Sequence, residues 1–127
     1  MAPLAAPLLG FQMRRASIPA LARVVHRLGI APDAVIFGHV HRLGPLSDDD
    51  PADWRGPTDA MHLFNSGSWV YEPLLLHGAR PPHPYWPGGA ISFEDGSEPW
   101  PVGLLDDLNA ADMRRIRVRR RRGRRAR

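Results

Sequence analysis

Two histidines separated by one residue follow an apolar run in the first half of the chain. Residues 35–42 read VIFGHVHR, so His39 and His41 come directly after a strand-like segment and Gly38. In extended backbone, residues i and i+2 point to the same side, so both imidazoles are expected to face one region. Imidazole binds zinc, iron, manganese and nickel, and a paired site with ions about 3.5–4 Å apart takes one imidazole on each ion. The spacing therefore predicts half of a metal site.

Two imidazoles alone do not define such a site, because metal centres use about four or more ligands, usually including carboxylates. The alternative is a pair of polar residues that end a buried strand, and the short motif leaves both interpretations open. Gly38 is expected to let the backbone leave the strand at a sharp angle without a Cβ clash. Sites in α/β folds gather beyond the carboxyl ends of buried strands, which is where the pair lies.

A helix and a buried strand lead into the histidine pair. Four apolar residues recur at helical spacing and predict one buried face: Ile18, Leu21, Val25 and Leu28. Ser17 is the expected N-cap of this helix, and Gly29 is the expected residue just past its end. The uninterrupted apolar run at 34–37 predicts a strand covered on both faces. Helix, short loop and buried strand form half of an α/β unit.

The rest of the chain predicts a loop and four further strands. Residues 43–59 are polar and rich in turn residues, which is typical of a loop. Apolar runs predict strands at 61–64, 69–71, 90–93 and 102–105. Residues 65–68, Asn-Ser-Gly-Ser, predict a tight turn, and Asp95-Gly96 predicts a turn between the last two strands. Asn109 is expected to cap a helix through Ala110 and Ala111.

Length and composition restrict the classes of protein. The chain has 127 residues, which fits one modest domain, and it has no cysteine, so any metal must use histidine nitrogen or carboxylate oxygen. No apolar run is long enough to span a bilayer. The apolar N-terminus is short, contains Pro3 and Pro7, and precedes Arg14 and Arg15, an order that is wrong for a secretory signal. A cytoplasmic location is therefore expected.

The net charge of +4 conceals a strong asymmetry. Ten of the 17 arginines lie in Arg114–Arg127, whereas residues 1–113 carry 7 arginines and 13 acidic residues, a net charge of −6. The basic character therefore belongs to the tail, and the body is acidic. The tail is expected to be frayed or disordered in isolation, and residues 113–127 are treated as an arginine-rich tail.

The order of several motifs resembles the C-terminal half of calcineurin-like metallophosphoesterases. The family's closing Gly-His-x-His signature is matched by Gly38-His39-Val40-His41, and its Asn-x-Gly-Ser segment is matched by residues 65–68. Residues 85–88 (Tyr-Trp-Pro-Gly) and 104–107 (Leu-Leu-Asp-Asp) also resemble bacterial members. The likeness covers roughly residues 14–108, and the ordered combination is more specific than any single motif.

The resemblance implies the C-terminal half of a metallophosphoesterase-type α/β sandwich, with a mixed sheet and one main helix. Residues 1–112 would form this partial domain. By analogy, His39 would bind the second of two divalent or trivalent metal ions (manganese, iron, zinc or nickel) and His41 the first. The ions would polarise phosphoryl oxygens and activate a water for hydrolysis of a phosphate ester. Arg42, which follows the motif, would approach a substrate phosphate; a surface ion pair is the alternative.

The chain departs from the family because the N-terminal ligand motifs are absent. It contains no Asp-x-His, no Gly-Asp-x-x-Asp and no Gly-Asn-His-Asp/Glu, and Asp33 is the one acid before His39. These motifs supply most of the family's ligands, so the chain alone is expected to lack activity. Three explanations for the missing motifs stay open: the chain is a truncated gene product, a frameshifted fragment or a true short paralogue. Self-association, or pairing with a separate N-terminal chain, is expected to cover open sheet edges.

A non-enzymatic function is the alternative. The ten arginines of the tail would bind nucleic acid or another acidic surface with steep salt dependence and without sequence preference, because no aromatic residues lie among them. Among the other polar groups, His62 is expected to be a packed or exposed polar residue. Residues 48–50 (Asp-Asp-Asp) are expected to be a solvated loop, because adjacent carboxylates lack the spaced geometry of calcium loops.

Overall fold

The structure, a computed structural model, describes residues 18–38, 40–58, 60–73 and 75–115. Residues 18–27 form helix α1, and residues 110–115 form helix α2. Between them lie five strands: Ala34–Phe37 (β1), Leu43–Gly44 (β2), His62–Ser66 (β3), Gly89–Ser92 (β4) and Trp100–Gly103 (β5). A 3-10 helix at Pro51–Trp54 separates β2 from β3. This is a small α/β fold with one main helix, as the sequence predicts at that level.

The strands form two small sheets. In the first the order is β1-β3-β2: β1 pairs with β3 in parallel, and β2 pairs with β3 antiparallel. The second sheet is the antiparallel pair β4–β5, which lies against β3. Gly89 permits this close approach, since a Cβ there would lie 2.7 Å from the carbonyl oxygen of Ser66. The pairing of two strands predicted near 90–93 and 102–105 is confirmed.

Helix α1 packs on one face of the first sheet. Ile18 and Val25 are buried, and they lie in a cluster that also contains Leu63 of β3 and Val35 of β1. The prediction for Leu28 is wrong, since this side chain is 65% exposed. The helix ends at residue 27 and Gly29 turns the chain with φ +66°, so Leu28 lies past the last helical turn. Ser17 lies outside the described residues.

Strand β1 forms where the sequence predicts it, but it is not covered on both faces. Ile36 is 44% exposed, whereas its partner in the register, Phe64 of β3, is buried. The difference follows from the topology, because β1 is the edge of the sheet and the β4–β5 pair covers β3 instead.

Two other sequence-based predictions need correction. The segment 43–59 is not entirely loop, since it contains β2 and the 3-10 helix, whose first turn is capped by Asp50. Residues 69–71 do not form a strand. Gly67 adopts φ +73°, and the Ser68 hydroxyl accepts a hydrogen bond from the Val70 N–H at 3.0 Å, so the chain turns where a strand is predicted.

A second apolar cluster lies away from the first and joins the proline-rich segment to α2. It contains four buried residues: Leu76, Tyr85, Trp86 and Met113. The predicted cap is confirmed, because Asn109 Oδ1 accepts hydrogen bonds from the N–H groups of Ala111 and Asp112 at 2.8 and 3.1 Å. Residues 116–127, most of the arginine-rich tail, lie outside the described residues. None of the helices described is long and apolar enough to span a bilayer.

Candidate functional site

The two segments that carry the sequence motifs meet at one end of the first sheet. Because β1 and β3 are parallel, their carboxyl ends lie side by side, and the last pair in the register is Phe37 with Asn65. Gly38 directly follows β1, and Gly67 directly follows β3. The chain thus brings together two motifs that are separated by more than twenty residues in the sequence.

A buried asparagine connects the two segments. Asn65 is 0% exposed, and its Nδ2 donates a hydrogen bond of 2.6 Å to the backbone carbonyl of Arg42. Its Oδ1 is buried and has no hydrogen-bond partner in the described part of the chain. The sequence predicts only a turn residue at this position. The signal that could have found it is a primary amide at the end of an otherwise apolar strand, since buried polar groups need partners.

His41 is exposed and has an unusual backbone conformation. Its φ is +55°, and it is the one residue other than glycine with positive φ in the described ranges. The side chain of His39 lies outside the described residues, so the relation of the two imidazoles stays a prediction. A φ in this region is uncommon for a residue with a Cβ, and histidine is among the types that tolerate it.

Gly38 does not have the role that the sequence predicts. It does not adopt a positive φ, and a Cβ at this position would meet only the Ser66 hydroxyl oxygen at 3.5 Å, an ordinary contact. The positive φ lies three residues later, at His41. Alanine would therefore fit at position 38 without strain.

Arg42 turns back into the protein. Its side chain is 6% exposed and forms an ion pair with Asp49, whose side chain is 9% exposed, and its guanidinium lies 4.9 Å from the ring centroid of Trp54. Asp49 is held in turn by the backbone N–H of Leu46, which donates to Oδ2 at 2.9 Å. The ion pair exists, but it is buried, whereas the sequence alternative is a surface pair. A contact between Arg42 and a substrate stays a prediction, and it would require this pair to open.

The described residues do not fit a two-metal centre by themselves. No group of three or more histidine, aspartate or glutamate side chains that could hold a metal occurs within the described ranges. The aspartates of residues 48–50 have other partners: Asp49 binds Arg42, and Asp50 accepts from the Ala52 N–H at 2.9 Å. The expectation of a solvated loop holds for Asp48 and Asp50, which are exposed, but it is wrong for Asp49, whose side chain is only 9% exposed because it pairs with Arg42.

The remaining histidine in the first sheet lies at a different place. His62 begins β3, so it is at the opposite end of the strand from Asn65, and its Nδ1 contacts the Glu98 carboxylate. This contact links β3 to the connection between β4 and β5. His62 is therefore partly exposed and paired, and it does not extend the set of groups around His41.

Comparisons with known proteins add no relative. No family model, no curated protein and no solved structure matches this chain. The functional argument therefore depends on the motifs and their arrangement.

Proposed function

We propose that this chain is the C-terminal part of a binuclear-metal-dependent phosphoesterase, which hydrolyses phosphate esters as the complete enzyme. The observation that supports the proposal is the hydrogen bond between the Asn65 side chain and the Arg42 carbonyl. It joins the Gly-His-Val-His-Arg segment to the Asn-Ser-Gly-Ser segment at the carboxyl ends of two parallel strands. This edge of an α/β sheet is where ligands bind.

In this proposal the chain contributes imidazoles. The carboxylate ligands come from the part of the enzyme that carries the motifs absent from this chain. His41 is exposed at the edge and can reach a ligand from outside the chain. Carboxylates are needed because two neutral imidazoles do not balance the charge of two metal ions.

The first experiment uses the gene. The DNA immediately upstream of the first codon is translated in all three frames and searched for Asp-x-His and Gly-Asn-His. If the motifs are present, the longer protein is assayed with a chromogenic phosphodiester and Mn²⁺. His41→Ala is expected to reduce kcat/KM by at least about 100-fold, because even residues that only support metal ligands contribute about 10–100-fold. His77→Ala, at an exposed histidine remote in sequence, is the control and is expected to retain activity.

The second experiment uses the 127-residue chain alone. We expect no turnover of the same substrate, and only weak Mn²⁺ binding by electron paramagnetic resonance titration. Robust hydrolysis by the chain alone that is lost with His41→Ala would contradict the proposal that essential ligands are missing. An upstream sequence without either motif, together with no metal binding by the chain, would contradict the proposed function itself.

A further inference from the structure

The acidic character of the body is concentrated in one part of the chain. Residues 1–55 contain six arginines and five acidic residues, a net charge of +1, whereas residues 56–113 contain one arginine and eight acidic residues, a net charge of −7. The tail carries eight arginines in residues 116–127. Because opposite charges of this size attract each other, residues 56–113 form the part of the body most complementary to the tail.

Three segments of this acidic part meet at one end of the second sheet, where β4 begins and β5 ends. Gly88 joins them, because its N–H donates to the Ser68 carbonyl at 2.8 Å and its carbonyl accepts from the Leu104 N–H at 3.0 Å. Trp69 follows Ser68 and is 65% exposed, and Leu104 is 54% exposed. Asp107 lies three residues after Leu104 and is exposed as well. We call Trp69, Leu104 and Asp107 the sheet-end patch.

The carboxylates at this end of the sheet lack a cation. Neither Asp106 nor Asp107 belongs to an ion pair within the described ranges. Burial raises the pKa of Asp106 and the Asp107 charge raises it further, so the two carboxylates repel each other. A guanidinium suits this surface, because it binds a carboxylate through two hydrogen bonds and stacks on an indole ring. Trp69 supplies such a ring at the same end of the sheet.

Helix α2 is attached close to the sheet-end patch. Met113 of α2 is buried in the second apolar cluster, and Leu105 packs against the same cluster. The Trp86 indole N–H donates to the Leu105 carbonyl at 3.0 Å, which holds the segment after β5 against this cluster. Residue 116 is three residues past Met113, and the twelve residues 116–127 span up to about 40 Å when extended. The patch is therefore within reach of the tail.

We propose that residues 116–127 bind back on the sheet-end patch of the same chain, with arginine guanidinium groups paired with Asp107 and stacked on Trp69. The tail is favoured over a separate partner because its attachment to α2 gives it an effective concentration of about millimolar. The polyanion hypothesis assigns the same arginines to nucleic acid, so the patch and a polyanion compete for them. The proposal does not depend on a metal or on the proposed phosphoesterase function.

The test places one label in the tail, which is direct because the chain has no cysteine. Gly123→Cys gives a single site for a nitroxide and removes no arginine, and NMR measures the paramagnetic relaxation of backbone amide protons. The amides of Gly103 and Leu104 are expected to relax faster than those of Arg23 and Arg27 on α1. Raising the salt from about 0.05 to 0.5 M is expected to remove most of this effect, because exposed charges are then screened.

A double variant tests the patch itself. Trp69→Ala with Asp107→Asn is expected to lower the relaxation enhancement at the two patch amides about fivefold, since an exposed ion pair and an exposed cation–π contact are both lost. The matched control is Trp100→Ala with Asp95→Asn, which makes the same replacements at exposed side chains toward the opposite end of the second sheet. This control is expected to keep the enhancement.

Circular dichroism checks the fold, and if Trp69→Ala unfolds the chain, Asp107→Asn decides alone. An equal loss in both double variants, or a loss in neither, overturns the proposal, because the tail is then held by overall charge or is not held by the patch. In a second sample, nitroxide-labelled chain is mixed with isotope-enriched chain that has no nitroxide. Enhancement of the same size in this mixture comes from the tail of another copy and overturns binding within one chain, whereas its loss supports the proposal.

Discussion

The side chain of Arg42 is the most constrained charged group near the candidate site. It is buried, paired with Asp49 and stacked on Trp54, and its Nε has no hydrogen-bond partner within the described residues. A buried ion pair adds little net stability, but loss of one partner leaves an uncompensated charge. Arg42 therefore matters first for the position of the loop between β2 and the 3-10 helix.

Replacement of Arg42 tests this role. Arg42→Met is expected to lower the free energy of unfolding by about 3–5 kcal/mol, because the Asp49 carboxylate stays buried without its partner. Arg42→Met combined with Asp49→Asn removes that charge and keeps an acceptor for the Leu46 N–H, so part of the loss should return. Urea denaturation followed by tryptophan fluorescence measures both. A loss below about 1 kcal/mol for the single variant is typical of an exposed pair and would contradict the burial.

Asp106 gives a pH-dependent prediction. Partial burial raises the pKa of this carboxyl, and the neighbouring Asp107 charge raises it further. A raised pKa means that the folded state holds the proton more tightly than the unfolded state. The ionised carboxylate therefore destabilises the fold, and this effect appears as the pH rises from about the ordinary value of 3.8 through the raised pKa.

Asp106→Asn is accordingly expected to increase the free energy of unfolding at neutral pH by less than about 1 kcal/mol, because solvent screens the group. Well below pH 3.8 the two proteins should be equally stable, since the carboxyl is then protonated in both the folded and the unfolded state. Denaturation midpoints measured between acid and neutral pH check the sign. Asp95→Asn, at an exposed turn, is the control. An advantage for Asp106→Asn that persists in acid would argue against a titration effect.

At the scale of single residues, the sequence predicts the positions of functional groups better than their contacts. The Asn109 cap could be predicted because capping depends on local spacing. The Arg42–Asp49 pair could not, since its partners are seven residues apart on a loop that has no periodicity. The buried state of Asn65 depends on the pairing of β3 with both neighbours, which no local pattern contains.

At the scale of elements, the sequence predicts the strands that have apolar runs and misses the shorter segments. Strands near 34–37, 61–64, 90–93 and 102–105 follow from apolar runs, and the structure confirms them with shifts of one or two residues. Strand β2 has two residues, too few to show a period. The 3-10 helix did leave a signal, because Asp50 followed by Pro51 is a typical helix start. The predicted strand at 69–71 fails because the chain turns at Gly67 and Ser68, which leaves Trp69 and Val70 exposed.

Two glycines near β1 and β2 predict opposite responses to alanine. A Cβ at Gly44 would lie 2.3 Å from the ring of Trp54, the buried last residue of the 3-10 helix. Gly44→Ala is therefore expected to destabilise the chain by about 1–3 kcal/mol. Gly38→Ala meets no obstacle closer than 3.5 Å, so it is expected to be neutral or to stabilise by up to about 1 kcal/mol.

Thermal or urea unfolding of the two glycine variants measures the difference. Both variants replace glycine by alanine, and the two positions are six residues apart beside the same sheet. Equal losses for both variants would show that Gly38 has a conformational role that the structure does not record.

At the scale of the whole molecule, the described chain has two apolar clusters and several exposed apolar side chains. One cluster lies between α1 and the first sheet, and the other joins the proline-rich segment to α2. The α/β class could be predicted from the alternation of helix and strand patterns. A complete metallophosphoesterase-type sandwich stays a proposal, because it requires strands beyond those described.

The arginine-rich tail gives a prediction that separates the two functional hypotheses. Met113 is buried in the second cluster, and Arg114 and Arg115, the last residues of α2 that the structure describes, are exposed. Removal of residues 116–127 keeps the described residues of α2 and deletes eight arginines. The full chain is expected to bind duplex DNA with a slope of log K against log salt of about −0.9 per phosphate contacted, and the shortened chain far more weakly.

Fluorescence anisotropy with labelled duplexes of two unrelated sequences measures this binding. Similar affinities for both duplexes are expected, since a run of arginines without aromatics reads only phosphates. If removal of residues 116–127 leaves DNA affinity unchanged, the polyanion hypothesis loses its support.

The left-handed backbone of His41 carries a cost in stability at that position. A residue with a Cβ pays about 1–2 kcal/mol for this conformation, whereas glycine adopts it freely. His41→Gly is therefore expected to melt at a higher temperature than the original chain, while His41→Ala is not. If calorimetry gives that order, the difference in melting temperature between His41→Gly and the original chain measures the stability lost by having histidine at this position.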